Sequence, residues 1–308
     1  MTRKASTMLM AGLLPVLLGA CDTMEAPVYR PEVVVESYQV AGQALQPVLV
    51  SRTAPLNTPY DFAAQAVAGA TVNVHLLDEA GNVEHTFPYR DLPGEAGVYV
   101  PEETHFVRPL RRYRLEVVVP ETGDRVTAET LVPGDFEVAA AGRDTVVYQG
   151  TERFEVAVTP SRYPGRQSYY VLSVEALDPR VEQLTPLYRD FVDPDNLDPD
   201  ELEKELRDVT VVESPIINES SFDVNPDGTV MIRLPWLAVA FYGPNRIRAS
   251  ALDDNLYDFL RSQGVQQGGS TLAPGEIPNV IEHVEGGRGI FGSFARVTFD
   301  LFIARPGS

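Results

Sequence analysis

Short β-branched runs, each closed by glycine, proline or an acidic turn, recur from Glu32 to the end of the chain and constrain its fold more than any other feature. Ala70–Leu77 (ATVNVHLL) alternates apolar and polar residues at period two, as a strand with one buried face does. Asp78–Asn82 reads as a hairpin loop into Val83–Tyr89, and Glu121–Asp124 as a tight turn between Tyr113–Val119 and Arg125–Val132. Glu32–Val40, Pro47–Arg52 and Gly97–Pro101 complete a first series, which Pro133-Gly134 closes. A second series holds Thr145–Gln149, Arg153–Thr159, Ser168–Leu177, Val209–Glu213, Ser221–Val224, Thr229–Leu234, Arg246–Leu252 and Arg296–Ala304. Two helical stretches interrupt it. Asp198-Pro199 with acids in the next turn starts one over 199–207, and Asp253–Gln263 forms another that Gly264 ends. The expected fold is all-β: two immunoglobulin-like, antiparallel β-sandwich domains, 31–134 and 135–308. The second carries a short helix or two and an acidic insertion at 178–208.

Ahead of the strands, residues 1–20 read as a lipoprotein signal peptide and 21–30 as a tether. Arg3 and Lys4 precede an apolar run, Met8–Leu18, that is shorter than the roughly 20 residues a membrane span needs and is broken by Pro15. Leu18-Gly19-Ala20-Cys21 then resembles the lipobox of bacterial lipoproteins: the Cys21 thiol takes the diacylglyceryl thioether, and the small residues before it let the signal peptidase approach the backbone. Cys21 is the only cysteine, so it has no disulfide partner within the chain. The expected partner of Cys21 is therefore the lipid bilayer, and the expected location is the cell envelope, lipid-anchored, at the outer membrane.

Charge narrows the function further. The formal net charge is -19, and the only lysines are Lys4 and Lys204. That balance argues against nucleic acid as a partner and against a phosphate-gripping P-loop. Gly287–Gly292 satisfies G-x-G-x-x-G but leads into an alternating strand instead of a helix, so a dinucleotide site fails on context. Asp223–Gly228 matches the opening of a calcium loop, yet its twelfth position is Leu234, and Asn-Pro-Asp-Gly between two strands reads better as a hairpin. Asp193, Asp195, Asp198 and Asp200 are carboxylate-dense, but Leu197 and the prolines break ligand spacing. No cofactor or metal is expected, with calcium at those four aspartates as the lesser alternative. His75, His85, His105 and His283 are scattered singly, and no serine sits in a nucleophile elbow, so no catalytic residue is assigned.

Two clusters remain as a candidate binding patch. Arg108, Arg111, Arg112 and Arg114 crowd around Tyr113 in an otherwise acidic chain, where they either grip a partner's carboxylates or offset neighbouring acids. Trp236, Phe241 and Tyr242 either stack on a ligand or fill a core.

Val33–Tyr38, Pro47–Leu56 and Val67–Val74, with Tyr257-Asp258-Phe259-Leu260 and the later Gly286-Gly287-Arg288-Gly289-Ile290-Phe291-Gly292, resemble a family of Gram-negative envelope lipoproteins, domain of unknown function 4249. The closing run is similar to that family's Gly-Gly-x-Gly-x-Phe-Gly signature, while His283-Val284 departs from the Asn-Ile expected there. The glycines themselves read as a structural corner beside Phe291. The resemblance implies an accessory role beside TonB-dependent outer-membrane receptors. The expected function is thus a non-catalytic binding or scaffolding subunit of such a nutrient-uptake or surface system. A carbohydrate- or peptide-capturing surface module is the alternative, and an envelope hydrolase the third reading.

Overall fold

Seven strands fill the first half of the chain: β1 (Val33–Val40), β2 (Val48–Arg52), β3 (Thr71–Leu77), β4 (Val83–Leu92), β5 (Glu95–Pro101), β6 (Arg112–Val119) and β7 (Asp124–Leu131), with one helical turn, α1 (Phe62–Gln65). The second half holds β8 (Val138–Ala140), β9 (Thr145–Val147), β10 (Glu155–Val158), β11 (Tyr169–Ala176), β12 (Val211–Glu213), β13 (Ile217–Asn218), β14 (Asp223–Val224) and β15 (Val230–Arg233). It ends on β16 (Gly243–Leu252), β17 (Val284–Glu285) and β18 (Arg288–Ala304), with α2 (Pro186–Val192), α3 (Pro199–Thr210) and α4 (Asp254–Gln266) between strands. The structure, a computed structural model, describes residues 29–55, 58–140, 142–152, 154–266 and 280–307. The signal peptide and Cys21 lie outside the described residues.

The all-β expectation holds, and the sheets are mixed. A large sheet runs β12-β11-β16-β18-β1-β2-β5-β4-β3-β6-β7-β17, with β13 also beside β11 and β9 beside β18, while a small sheet runs β14-β15-β10-β8. The pairs β1–β18 and β9–β18 are parallel, in contrast to the purely antiparallel arrangement expected. Hairpins enforce antiparallel pairing only between strands close in sequence, and β18 meets β1 from the opposite end of the chain.

Alternation sets what each sheet buries. In β6 the residues Tyr113, Leu115, Val117 and Val119 face inward, and with Val35, Val50, Val74, Tyr99 and Val126 they form a first core. Phe291 of β18 completes this core from the far end of the chain. The second core fills the space between β11, β16 and β18 of the large sheet and the small sheet, around Val158, Tyr170, Leu172, Ile232, Ile247 and Leu301. This is a two-layer packing in which interleaved apolar faces exclude water.

Helices cover parts of the outside. The acidic insertion folds into α2 and α3, which enclose a small core of Leu184, Val192, Val209 and Phe241. Asp198 caps α3 by accepting from the amides of Asp200 and Glu201, Glu201 reaches back to complete the capping box, and Pro199 opens the first turn. The helix continues to Thr210, past the expected end at 207. Helix α4 likewise runs through Gly264 to Gln266. It lays Leu256 beside Leu252 and Ile290 on the outer face of the large sheet.

Candidate functional site

The arginines and the aromatics do not form one surface, and Arg108, Arg111 and Arg114 offset neighbouring acids. Strand alternation turns Tyr113 inward, where it is fully buried, while Arg112 and Arg114 point out. The Tyr113 hydroxyl accepts from the Arg108 amide at 2.9 Å and bonds His105 Nε2 at 2.9 Å, so it anchors a loop and presents nothing to a partner. Arg108 and Arg111 converge on Glu84, and Arg114 meets Glu129 at 2.6 Å. Trp236 packs edge-on against Tyr148 at 5.3 Å, and buried Tyr242 packs on the same ring at 5.5 Å, beneath the Arg305 guanidinium. Those aromatics belong to the second core, away from the arginines.

The acidic run 193–200 is used locally. Asp193 ends α2 in the left-handed conformation and accepts from the Asn196 side chain, Asp195 pairs with Arg189 at 3.4 Å, and Asp198 caps α3. Asp223–Gly228 makes the hairpin between β14 and β15. Asp227 accepts from the amide and hydroxyl of Thr229, which hold its carboxyl below the usual range.

The two segments that carry the family resemblance meet in space. Gly292 lies directly under Leu256 of α4, where a Cβ would come within 2.6 Å of Leu256 Cγ. At Gly289, φ is +109° and a Cβ would stand 2.0 Å from the Val35 carbonyl oxygen, so β18 can lie this close to β1 only with glycine there. Next to them Asp253 caps α4, and only 1% of it is exposed. Its carboxylate accepts from the Leu256 amide at 2.8 Å and from Thr130 Oγ1 of β7 at 2.5 Å, and Ser293 of β18 bonds the same hydroxyl. Burial pushes the Asp253 carboxyl up to about 7, against the lowering effect of the Thr130 hydrogen bond. Asn255 donates to the carbonyls of Glu129 and Phe291 at 2.6 and 2.7 Å. Helix α4 therefore fastens β7 to β18 through buried polar bonds.

Above this junction opens a polar cleft of about 860 Å³ between the outer faces of β6 and β7, β17 and the start of α4. Its charges are largely spent on one another. Arg125 pairs with Glu116 at 2.8 Å, Glu282 with Arg288 at 2.6 Å, Asp254 with Arg166 at 2.6 Å, and His283 with Asp258 at 2.8 Å. Such a network satisfies itself and leaves little to recognise a ligand.

A second cleft, of about 580 Å³, has unspent surface. It enters the second core between β11–β13 of the large sheet and β14–β15 of the small one, over Leu172, Val174, Ile217, Phe222, Met231 and Leu237. The sheet edge opens there because Ser214-Pro215 divides β12 from β13. Ser214 exchanges hydrogen bonds with Leu172, and Pro215 has no amide to continue the ladder. Leu237 at the mouth is 64% exposed, and its carbonyl accepts from Tyr188 of α2, the helix that also carries Phe191 at 70% exposure. At the rim, Arg233 is held between Glu155 and Asp223. This cleft escaped sequence reasoning because its walls come from separate strands whose residues each read as ordinary core.

The chain is thus an all-β protein with a self-satisfied polar junction and an open apolar cleft. The family described as Domain of unknown function (DUF4249) matches residues 22–300, and the chain belongs to it. No curated protein matches the chain. Among solved structures, it is similar to a trypsin-activated alpha-2-macroglobulin from Escherichia coli, at 9% identity and TM-score 0.24 over 91% of this chain and 16% of that one. It is also similar to a Salmonella alpha-2-macroglobulin reacted with methylamine, at 11% identity and TM-score 0.24 over 91% and 15%. A Parabacteroides merdae beta-glucuronidase matches at 9% identity and TM-score 0.19 over 72% and 24%. The chain thus spans under a quarter of the length of each, and likenesses this distant carry no argument about function.

Proposed function

We propose that the protein is a membrane-anchored, non-catalytic binding or scaffolding subunit of the cell envelope, held at the outer membrane by lipidated Cys21 and partnered with a TonB-dependent receptor. The observation that supports this reading is the apolar cleft with Leu237 at its mouth and Phe191 beside it, a surface of the kind that marks protein–protein contact. The family resemblance supports the choice of receptor as partner. Among capture readings, the cleft favours peptide over carbohydrate, since Trp236 and Tyr242 are engaged with Tyr148. Mild detergent extraction of envelopes followed by native separation tests the proposal: the protein should run with an outer-membrane barrel, and migration alone would refute it.

A further inference from the structure

We infer that α1 and the residues just before it lie on the bilayer that carries the Cys21 anchor; this rests on the proposed lipid anchoring and adds which face of the protein meets the membrane. The stretch 53–67 lies between β2 and β3 and contains one charged residue, Asp61, in a chain that is 22% charged. Within it Pro55, Pro59, Ala63 and Ala64 are exposed, Tyr60 is 57% exposed, and α1 buries no residue. Apolar surface gathered in one exposed stretch marks a contact that folding alone does not supply. The path of the chain says what supplies it. Eleven residues separate Cys21 from Glu32, so the chain joins the sheet at most about 40 Å from a lipid held on Cys21. It joins beside this stretch: the Glu32 amide donates to Thr53 Oγ1 at 3.1 Å, and the Thr53 amide to the Glu32 carbonyl at 3.0 Å. The Tyr60 hydroxyl donates to Ser51 Oγ at 2.9 Å and Ala66 bridges to Ser51, which fixes the stretch against the end of β2. Tyrosine rings suit the head-group layer of a bilayer. The stretch holds no lysine or arginine, and Asp61 is occupied in capping α1, so the contact is apolar and does not call for anionic head groups. Strand β18 starts at the same end, where Arg288 pairs with Val34. The cleft floor, Leu172 and Val174, is level with Val297 and Phe299 of β18. Measured along β18 that is about 30–36 Å further on, so the apolar cleft is held clear of the lipid.

The test places the full lipidated chain in phosphatidylcholine vesicles that include a nitroxide-bearing phosphatidylcholine as quencher. With the Cys21 sulfur taken by lipid, an environment-sensitive dye couples only to an introduced thiol: Ala63→Cys in α1, or Leu237→Cys at the cleft mouth as the remote position. Both positions are exposed, so labelling should leave the thermal midpoint unchanged. At position 63 the dye should shift to the blue and lose most of its emission to the nitroxide lipid, with or without phosphatidylglycerol in the vesicles. At position 237 it should be unaffected. Tyr60→Glu should abolish the quenching at position 63 while the protein still floats with the vesicles, because the acyl chains hold it there. A floating protein with no quenching at position 63, or with quenching that requires phosphatidylglycerol, would overturn the inference and leave the anchor in place. Quenching at position 237 and not at 63 would also overturn it and put the cleft on the lipid instead. A protein that does not float with the vesicles would overturn the anchoring reading and this inference with it.

Discussion

Replacing Asp253 with asparagine removes a titratable buried group while leaving the contacts to Leu256 and Thr130 formable, and the consequence is a change in how stability depends on pH. The Asp253 carboxyl ordinarily titrates at 3.8, but in the folded protein burial pushes it up to about 7. Between those values the folded protein holds a proton that the unfolded chain has released, so stability falls as pH rises through the window. The loss is complete above about pH 7, where the folded protein must bury the carboxylate. At about 1.4 kcal/mol per pH unit the full window is worth about 4 kcal/mol, of which about 3 kcal/mol lies between pH 4.5 and 8. In Asp253→Asn the amide can donate to Thr130 Oγ1, whose hydroxyl turns to Ser293, while the Leu256 amide keeps its acceptor. Urea unfolding of both proteins at pH 4.5 and 8 isolates the effect, because every other titrating group is common to the two. The variant should gain about 3 kcal/mol relative to the wild type on going to pH 8. An equal difference at both pH values would refute the reasoning.

Other expectations follow from the same geometry. Gly289→Ala forces a Cβ against the Val35 carbonyl at positive φ and should cost about 3 kcal/mol or more in chemical denaturation, with β1–β18 amides losing hydrogen-exchange protection. Arg114→Ala breaks one partly exposed pair with Glu129 and should change stability by less than about 1 kcal/mol. Cys21→Ser should abolish incorporation of a labelled fatty acid and move the protein from the membrane fraction to the soluble one.

Local periodicity was enough to read much of the strand pattern. The alternation in Ala70–Leu77 and Tyr113–Val119 matches β3 and β6, and Asn-Pro-Asp-Gly forms the turn it predicts. Helix α3 begins where Asp198-Pro199 places it, because capping is a short-range hydrogen-bond pattern. What sequence reading missed is long-range. Nothing near Val33 or Arg288 says that these segments pair in parallel, and nothing in Gly289 names Val35 as the backbone it must clear. Whether the arginines grip a partner or offset acids was not legible either, because Glu84 and Glu129 come from other strands; alternation in β6 separates only Tyr113 from Arg112 and Arg114. The apolar cleft was hidden because it is a gap between two sheets, and no single strand records the distance to its neighbour.

The most direct measurement extracts the anchored protein from envelopes with mild detergent and compares wild type with Leu237→Glu on a native gel. Wild type is predicted to run as a defined complex with a TonB-dependent outer-membrane receptor, and the substitution to release it as a folded monomer with an unchanged thermal midpoint. A wild-type protein running alone, or a complex untouched by Leu237→Glu, would contradict contact through the apolar cleft.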